Sequence, residues 1–254
     1  MQNFQITIAY DGSRYHGWQR LKNEQTIQGK IEGVLSEMLG HQVEIHGAGR
    51  TDAGVHARAQ TAHFKVQTDC TPEDIAAYLN RYLPEDIAIT GCTYAEERFH
   101  ARLNAAGKRY QYRIWNSNVP NVFERKYLYR MEDSLNVDRM QQGAAYLVGR
   151  HDFRAFCGNK KMKKSTVRTL YRADVEKIGC EVRMTFEATG FLQNMVRILA
   201  GTLMEVGLGK RQPCDVLHIL DSGERENAGI TMPPQGLVLD KVFYGIEWEG
   251  WNGQ

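Results

Sequence analysis

The strand-like and helix-like segments of this chain run through nearly the same order twice, and a repeated order narrows the possible folds more than any single residue does. QITIAY (5–10) reads as a strand. A helix follows, with Thr26 as N-cap, Ile27, Ile31, Val34, Leu35, Met38 and Leu39 on one face, and Gly40 as its stop. VEIH (43–46) and the alternating AHFKV (62–66) read as two further strands. Thr71-Pro72-Glu73-Asp74 is a capping box with proline at the first helical position. It opens a helix carrying Ile75, Leu79 and Leu83, which Pro84 closes before the strand IAITGCTY (87–94).

The second half repeats the scheme. KRYQYRIW (108–115) alternates as a strand, and Val137, Met140, Ala144, Leu147 and Val148 mark a helix. TLYRADVEKI (169–178) and EVRMTFEA (181–188) pair as strands across Gly179-Cys180. An apolar helix over 192–206, a shorter one over 215–220 and the strand GLVLDKVFY (236–244) complete it. The expected class is α+β: two similar βαββαβ halves, each with the order of an RNA-recognition-motif or ferredoxin-like unit. They are expected to form an extended, mainly antiparallel sheet with a cleft between them. A boundary at Asn104-Ala105-Ala106-Gly107 gives domains 1–105 and 106–254, the first carrying the Asp52 loop and the second completing the cleft. No RNP1 pattern is present, so simple base stacking on an open sheet is not expected.

At 254 residues the chain can bury a sizeable core. No apolar run is long enough to cross a bilayer, and MQNFQITIAYDG lacks the basic and apolar regions of a secretory leader. A cytoplasmic protein without membrane contact is expected. Five scattered cysteines with no CxxC pair argue against a zinc ribbon or a disulfide framework, and are expected to pack as small apolar groups. The net charge of +2 is small, but its distribution is uneven. Arg98, Arg102, Lys108, Arg109, Arg113, Arg125, Lys126 and Arg130 form one cluster. Arg154, Lys160, Lys161, Lys163, Lys164, Arg168 and Arg172 form a second. Tyrosines and Trp115 are interleaved, as suits phosphate contacts beside base stacking; two solvated faces balanced by distant acids fit the same pattern.

The stretch GAGRTDAGVHARAQTAHF (47–64) concentrates the chemistry. Asp52 is the only acid between Ile45 and Thr68, and Arg50, His56, Arg58 and His63 surround it. Flanking guanidinium groups favour the ionised carboxylate, which serves as nucleophile, base or electrostatic stabiliser rather than as proton donor. Glycoside hydrolysis normally uses two carboxyl groups, and Asp11, in another Gly-flanked turn, is the chief rival for the second place. A purely structural Asx-turn, paired to Arg50, fits Asp52 equally well on spacing alone. His56 and His63 lack the further spacing of a metal site, so no metal is expected.

The same stretch resembles the signature of the tRNA pseudouridine synthase A family, with Asp52 at the catalytic aspartate. AYDGSRYHGWQ (9–19), TIQGKIE (26–32), RFHARLNAAGKRYQYRIWN (98–116), GRHDFRAF (149–156), GFLQNMVRILAG (190–201) and PPQGLVL (233–239) resemble further family segments in order. The resemblance implies isomerisation of uridine to pseudouridine in the tRNA anticodon stem-loop, without cofactor or metal, by a homodimer. It implies catalytic roles for Asp52, for Arg50, which helps the target nucleotide leave the stack, and for Arg197, which pairs with the aspartate. Tyr110 would pack against the uracil, with Arg58 and His56 as further substrate-binding residues. On residue pattern alone Tyr110 is equally an ordinary buried-face aromatic. Two positions depart from the family: Arg154 replaces a small hydroxyl residue, and Gly47 stands where some members carry cysteine.

Overall fold

The computed structural model describes residues 1–159 and 161–245, arranged as two compact units. The first comprises Met1–Ala106 together with the described residues from Leu239 to Gly245; the second is Gly107–Val238. The last strand of the sequence, Leu237–Tyr244, therefore contributes mostly to the first unit.

In the first unit β1 (Gln2–Tyr10) leads through a short 3-10 turn into α1 (Ile27–Leu39). β2 (His46–Gly47), β3 (His56–Val66), α2 (Pro72–Tyr82) and β4 (Ile87–Ala95) follow. β1 lies between β4 and β3, antiparallel to both, and the C-terminal strand lies on the far side of β3. Alternation puts Phe4, Ile6, Ile8 and Tyr10 on the buried face of β1, where Phe4 stacks on Phe64 with ring centroids 5.3 Å apart. Both expected helix starts form. The Thr26 hydroxyl accepts from Gly29 N at 3.2 Å, and Thr71 and Asp74 make the reciprocal capping box. Gly40 ends α1 at φ +73°.

The expected strand over 43–46 shrinks to the two residues of β2, because the segment's hydrogen bonds go to α1 instead. Glu32 Oε1 accepts from Ile45 N at 3.0 Å, and Gln28 Nε2 donates to Ile45 O at 3.0 Å. Gln28 and Glu32 are buried on α1, and Arg20 reaches Glu32 Oε2 at 2.8 Å. A buried carboxylate is tolerated here because every partner it needs is supplied.

The second unit starts with β5 (Ala105–Asn116), paired parallel with β6 (Tyr129–Met131). After α3 (Val137–Ala145) come β7 (Gly149–Asp152), β8 (Val167–Ile178) and β9 (Glu181–Ala188), then α4 (Met195–Gly207) and α5 (Asp215–Ser222). β5, β9, β8 and β7 are neighbours in that order, all antiparallel. The β8–β9 hairpin turns at Gly179-Cys180, with Gly179 at φ +61°, as the residue pattern predicts. β6 and β7 are short edge segments with no clear alternation, and sequence reading passes over them. Arg113 of β5 makes a two-pronged contact with Glu181 of β9, at 2.9 and 2.7 Å. Burial alone would raise the Glu181 pKa, but Arg113 and Arg183 hold it below the ordinary carboxylate value.

Of the five thiols only Cys157 is buried, while Cys180 and Cys214 are exposed, so uniform apolar packing is corrected. Among the described residues no helix is long and apolar enough to cross a membrane.

His63 sits in the first unit against His46 and His100, with ring centroids 5.2 and 4.6 Å away. Burial, reinforced by His100, pushes its pKa down to about 4. Its Nδ1 accepts the Ala101 N–H at 3.2 Å, a bond that needs the neutral ring. A histidine whose folded pKa lies below its unfolded value stabilises fully above pH 6.5. That contribution is lost as pH falls towards 4, since the unfolded chain then binds the extra proton. Denaturant midpoints measured from pH 7 to 4.5 should reveal a loss on the order of 2 kcal/mol from this group. The His63→Gln variant should lack that part of the slope, and an identical slope in both proteins would remove His63 from this role.

Candidate active site

Asp52 lies on the loop between β2 and β3, and the backbone on each side of it is tied down. Ala48 N donates to Thr61 O at 2.7 Å, and Gln60 Nε2 donates to Gly49 O at 3.0 Å. Thr51 is buried: its carbonyl accepts from Trp18 N at 3.1 Å, and its hydroxyl meets the Tyr10 hydroxyl at 2.8 Å. Beyond Asp52 the chain reverses. Val55 N donates back to Asp52 O at 3.2 Å across Ala53-Gly54, with Gly54 at φ +77°, the position where a type II turn requires glycine. Gly54 N donates in turn to Tyr15 O at 3.3 Å. Asp52 itself is half-buried, so the loop offers a fixed carboxylate with access to its surroundings.

The cradle for this loop is the turn after β1. A Cβ on Gly12 would lie 2.0 Å from Val55 O, and one on Gly17 would lie 2.6 Å from Thr51 O. Gly17 also has φ +88°. Glycine at both positions lets two stretches of backbone touch. Trp18 covers Gly47 in the same manner: a Cβ there would meet the indole at 2.6 Å, a steric reason why no cysteine could stand beside Asp52 in this chain without repacking.

His56 is only 5% exposed in its side chain. Its Nδ1 accepts from Gly12 N at 3.1 Å and lies 3.2 Å from Asp11 Oδ1. It ties the start of β3, just beyond the Asp52 loop, to the turn after β1. Asp11, the rival acid, caps its own turn: Oδ1 accepts from Ser13 N at 2.9 Å and from Ser13 Oγ at 2.5 Å. Arg58, on β3, donates to Asp240 Oδ1 at 3.0 Å. Arg50 is exposed and makes no ion pair among the described residues. Asp52, Arg50, His56 and Arg58 thus all belong to one loop and the strand it opens.

Tyr110 and Arg197 belong to the second unit. Tyr110 is buried on β5 opposite Phe186 and meets Phe191 edge-on, with centroids 5.1 Å apart at 81°. Arg197, in the first turns of α4, donates to Met232 O at 2.5 Å and to Asn194 Oδ1 at 3.1 Å. These polar contacts make a cation tolerable on an otherwise apolar helix. Asn194, at φ +58°, adopts the left-handed conformation just before α4. Among the described residues no group of three or more His, Cys, Asp or Glu side chains is arranged to hold a metal ion.

A family profile described as tRNA pseudouridine synthase matches residues 6–103 and 144–245. The chain belongs to the tRNA pseudouridine synthase family. Membership makes it an isomerase. A Bacillus sp. protein named tRNA pseudouridine synthase A is 46% identical over 245 residues, covering 96% of this chain and 100% of that protein. A Thermoanaerobacter sp. protein of the same name is 44% identical over 244 residues, with the same coverages. A Clostridium perfringens protein named tRNA pseudouridine synthase A 2 is 42% identical over 244 residues, again with these coverages.

Sequence reading of this synthase missed three residues that the geometry brings forward. Asp240 is remote from Arg58 in the chain and carries no local motif. Phe191 and Asn194, beside Tyr110 and Arg197, are legible only once β5 and α4 are placed. The basic clusters also divide. Arg109 pairs with Glu187 at 2.7 Å, Arg113 with Glu181, and Arg130 with Glu132 at 2.9 Å. Lys163 and Lys164 make no ion pair among the described residues. They line a cleft of about 660 Å³ with Arg154, Ser165 and Thr166. Lys160 lies outside the described residues.

Proposed function

We propose that this chain isomerises uridine to pseudouridine in the anticodon stem-loop of tRNA, with Asp52 as the group that reacts at the ribose. The observation that carries this reading is the half-buried carboxylate of Asp52 on a type II turn fixed by backbone bonds at Thr51, Gly54 and Val55. A reacting atom held to a fraction of an ångström is what orientation-dependent catalysis requires. The reaction breaks the N1–C1′ bond, joins C5 to C1′, moves the C5 proton to solvent and protonates N1, so no atom is gained or lost. The detached uracil carries the developing negative charge itself. Asp52 either adds to C1′ or takes a proton from C2′, and both routes use the same oxygen.

Tyr110 is assigned to the uracil ring, its orientation fixed by Phe191, and Arg197 to the charge of the reacting acid. Arg50, exposed and without an ion pair among the described residues, is assigned to the displaced nucleotide, because a stacked, paired uridine hides its sugar carbon. Arg58 is assigned to substrate contact beside Asp240. His56 acts on the substrate through its tie between the start of β3 and the turn after β1.

The deciding experiment incubates the protein with an unmodified tRNA transcript labelled with tritium at uridine C5 and maps the product. Tritium release with pseudouridine in the anticodon stem-loop is expected. Free uracil with abasic RNA would replace isomerisation by hydrolysis, and binding without release would leave no catalytic role.

Charge reversal of Lys161, Lys163 and Lys164 to Glu should weaken tRNA binding by roughly tenfold or more. It should also flatten the dependence of log Kd on log salt by about 0.9 per lost phosphate contact. An unchanged salt slope would remove this segment from the RNA surface.

A further inference from the structure

In the second unit the segment between β5 and β6 carries an exposure pattern that the proposed catalytic residues leave unused. Phe123 is 92% exposed, more than any other large apolar side chain among the described residues, and Val119 and Val122 beside it are exposed as well. A phenyl ring left in water forfeits the favourable transfer that burial would give it. An exposed apolar cluster of this kind marks a contact surface.

The backbone that presents the ring is held firmly. The Trp115 indole donates to Val119 O at 2.7 Å, the Arg130 guanidinium donates to Asn118 O, and Asn121 Oδ1 accepts from Glu124 N at 3.0 Å. Tyr127 N closes the turn on Glu124 O at 2.8 Å. The one acid inside the turn, Glu124, points its carboxylate at the buried Arg113, 3.2 Å away. That ion pair offsets its charge, although the side chain itself stays about half exposed. The next two residues are exposed cations, Lys126 and Arg125, of which Arg125 makes no ion pair among the described residues. An exposed aromatic ring on a held backbone, followed by two cations, combines a stacking platform with phosphate contacts.

We propose that the 117–130 loop is a second RNA-contact element, in which Phe123 stacks on an unpaired base while Arg125 and Lys126 take the adjoining phosphates. The inference rests on tRNA being the substrate, and it adds a site outside the residues assigned to chemistry, on the loop that follows the strand carrying Tyr110. Preorganisation by Trp115, Asn121 and Arg130 lowers the ordering cost that a mobile loop would bear on binding. RNA is favoured over a protein partner because the turn carries the exposed cations Arg125 and Lys126 against a single acid, Glu124, whose charge is already paired with Arg113.

The test measures Kd for unmodified tRNA at several salt concentrations, single-turnover pseudouridine formation at saturating tRNA, and particle mass in solution. Phe123→Ala should raise Kd roughly tenfold, Phe123→Trp should restore it, and the rate at saturation should stay within about twofold. Arg125→Ala with Lys126→Ala should lower the magnitude of the salt slope by about 2. Wild-type turnover together with an unchanged Kd in Phe123→Ala overturns this inference and leaves the proposed reaction standing. A change in particle mass without a change in Kd makes the loop a protein interface and likewise overturns it. Wild-type protein that neither binds nor modifies tRNA overturns both.

Discussion

Asp52→Asn should abolish pseudouridine formation, lowering the single-turnover rate by at least about four orders of magnitude, the scale seen when a reacting group is removed. Affinity for tRNA should stay within about threefold of wild type. The physical case rests on what holds the loop. The bonds that shape it run through Thr51 O, Gly54 N, Val55 N and the Asp52 carbonyl, all backbone atoms that the substitution leaves in place. Asparagine keeps the shape of the side chain but replaces an anionic oxygen with an amide, which neither adds to C1′ nor takes a proton from C2′. Asp52→Glu tests orientation separately. It keeps the charge but moves it by roughly one bond length, and a displacement near 1 Å is expected to cost about a hundredfold in rate. The two variants together separate charge from position. Turnover retained in Asp52→Asn would remove this carboxylate from the chemistry, whatever the family.

How much of this was legible beforehand depended on whether the governing interaction was local. α1 and α2 were readable because their caps, Thr26 and Thr71-Pro72-Glu73-Asp74, lie within four residues of the bonds they make. The β8–β9 hairpin was readable because Gly179 supplies its positive φ in place. Non-local pairing defeated the reading elsewhere. VEIH looked like a full strand, yet Ile45 gives its backbone bonds to Glu32 and Gln28 on α1, and nothing in a helix face marks a buried Glu in advance. The basic segment around Arg109 and Arg113 looked like one surface. Only the β5–β9 register reveals Glu187 and Glu181 as partners, and it turns part of that surface into the framework of the sheet. At the candidate site Asp52 was legible as the lone acid of its loop. The second role of AYDGSRYHGWQ as the cradle of that loop was not, because Gly12 and Gly17 acquire meaning only against the carbonyls of Val55 and Thr51.

That cradle gives the second large effect. Gly12→Ala should destabilise the protein by about 3–5 kcal/mol, within the range of the most damaging single substitutions. A chain of this size should then melt about 10 °C lower. The added methyl would stand 2.0 Å from Val55 O and 2.7 Å from Val55 C, and backbone cannot rotate aside as a flexible side chain does. One of the two stretches must move by more than an ångström. Moving either one breaks the bond from Gly12 N to His56 Nδ1 and loosens the turn that carries Asp52. Turnover should therefore fall well below the folded fraction, while tRNA affinity changes little. Gly33→Ala supplies the contrast. Gly33 is exposed on α1 with nothing within 4 Å of an added Cβ, so the same chemical change should stabilise the protein by about 0.5–1 kcal/mol. Opposite signs from one methyl group at two glycines would locate the cost in the contact between the turn and the loop. Equal, small effects at both would mean that the two stretches are not in contact, and that Asp52 is held by something else.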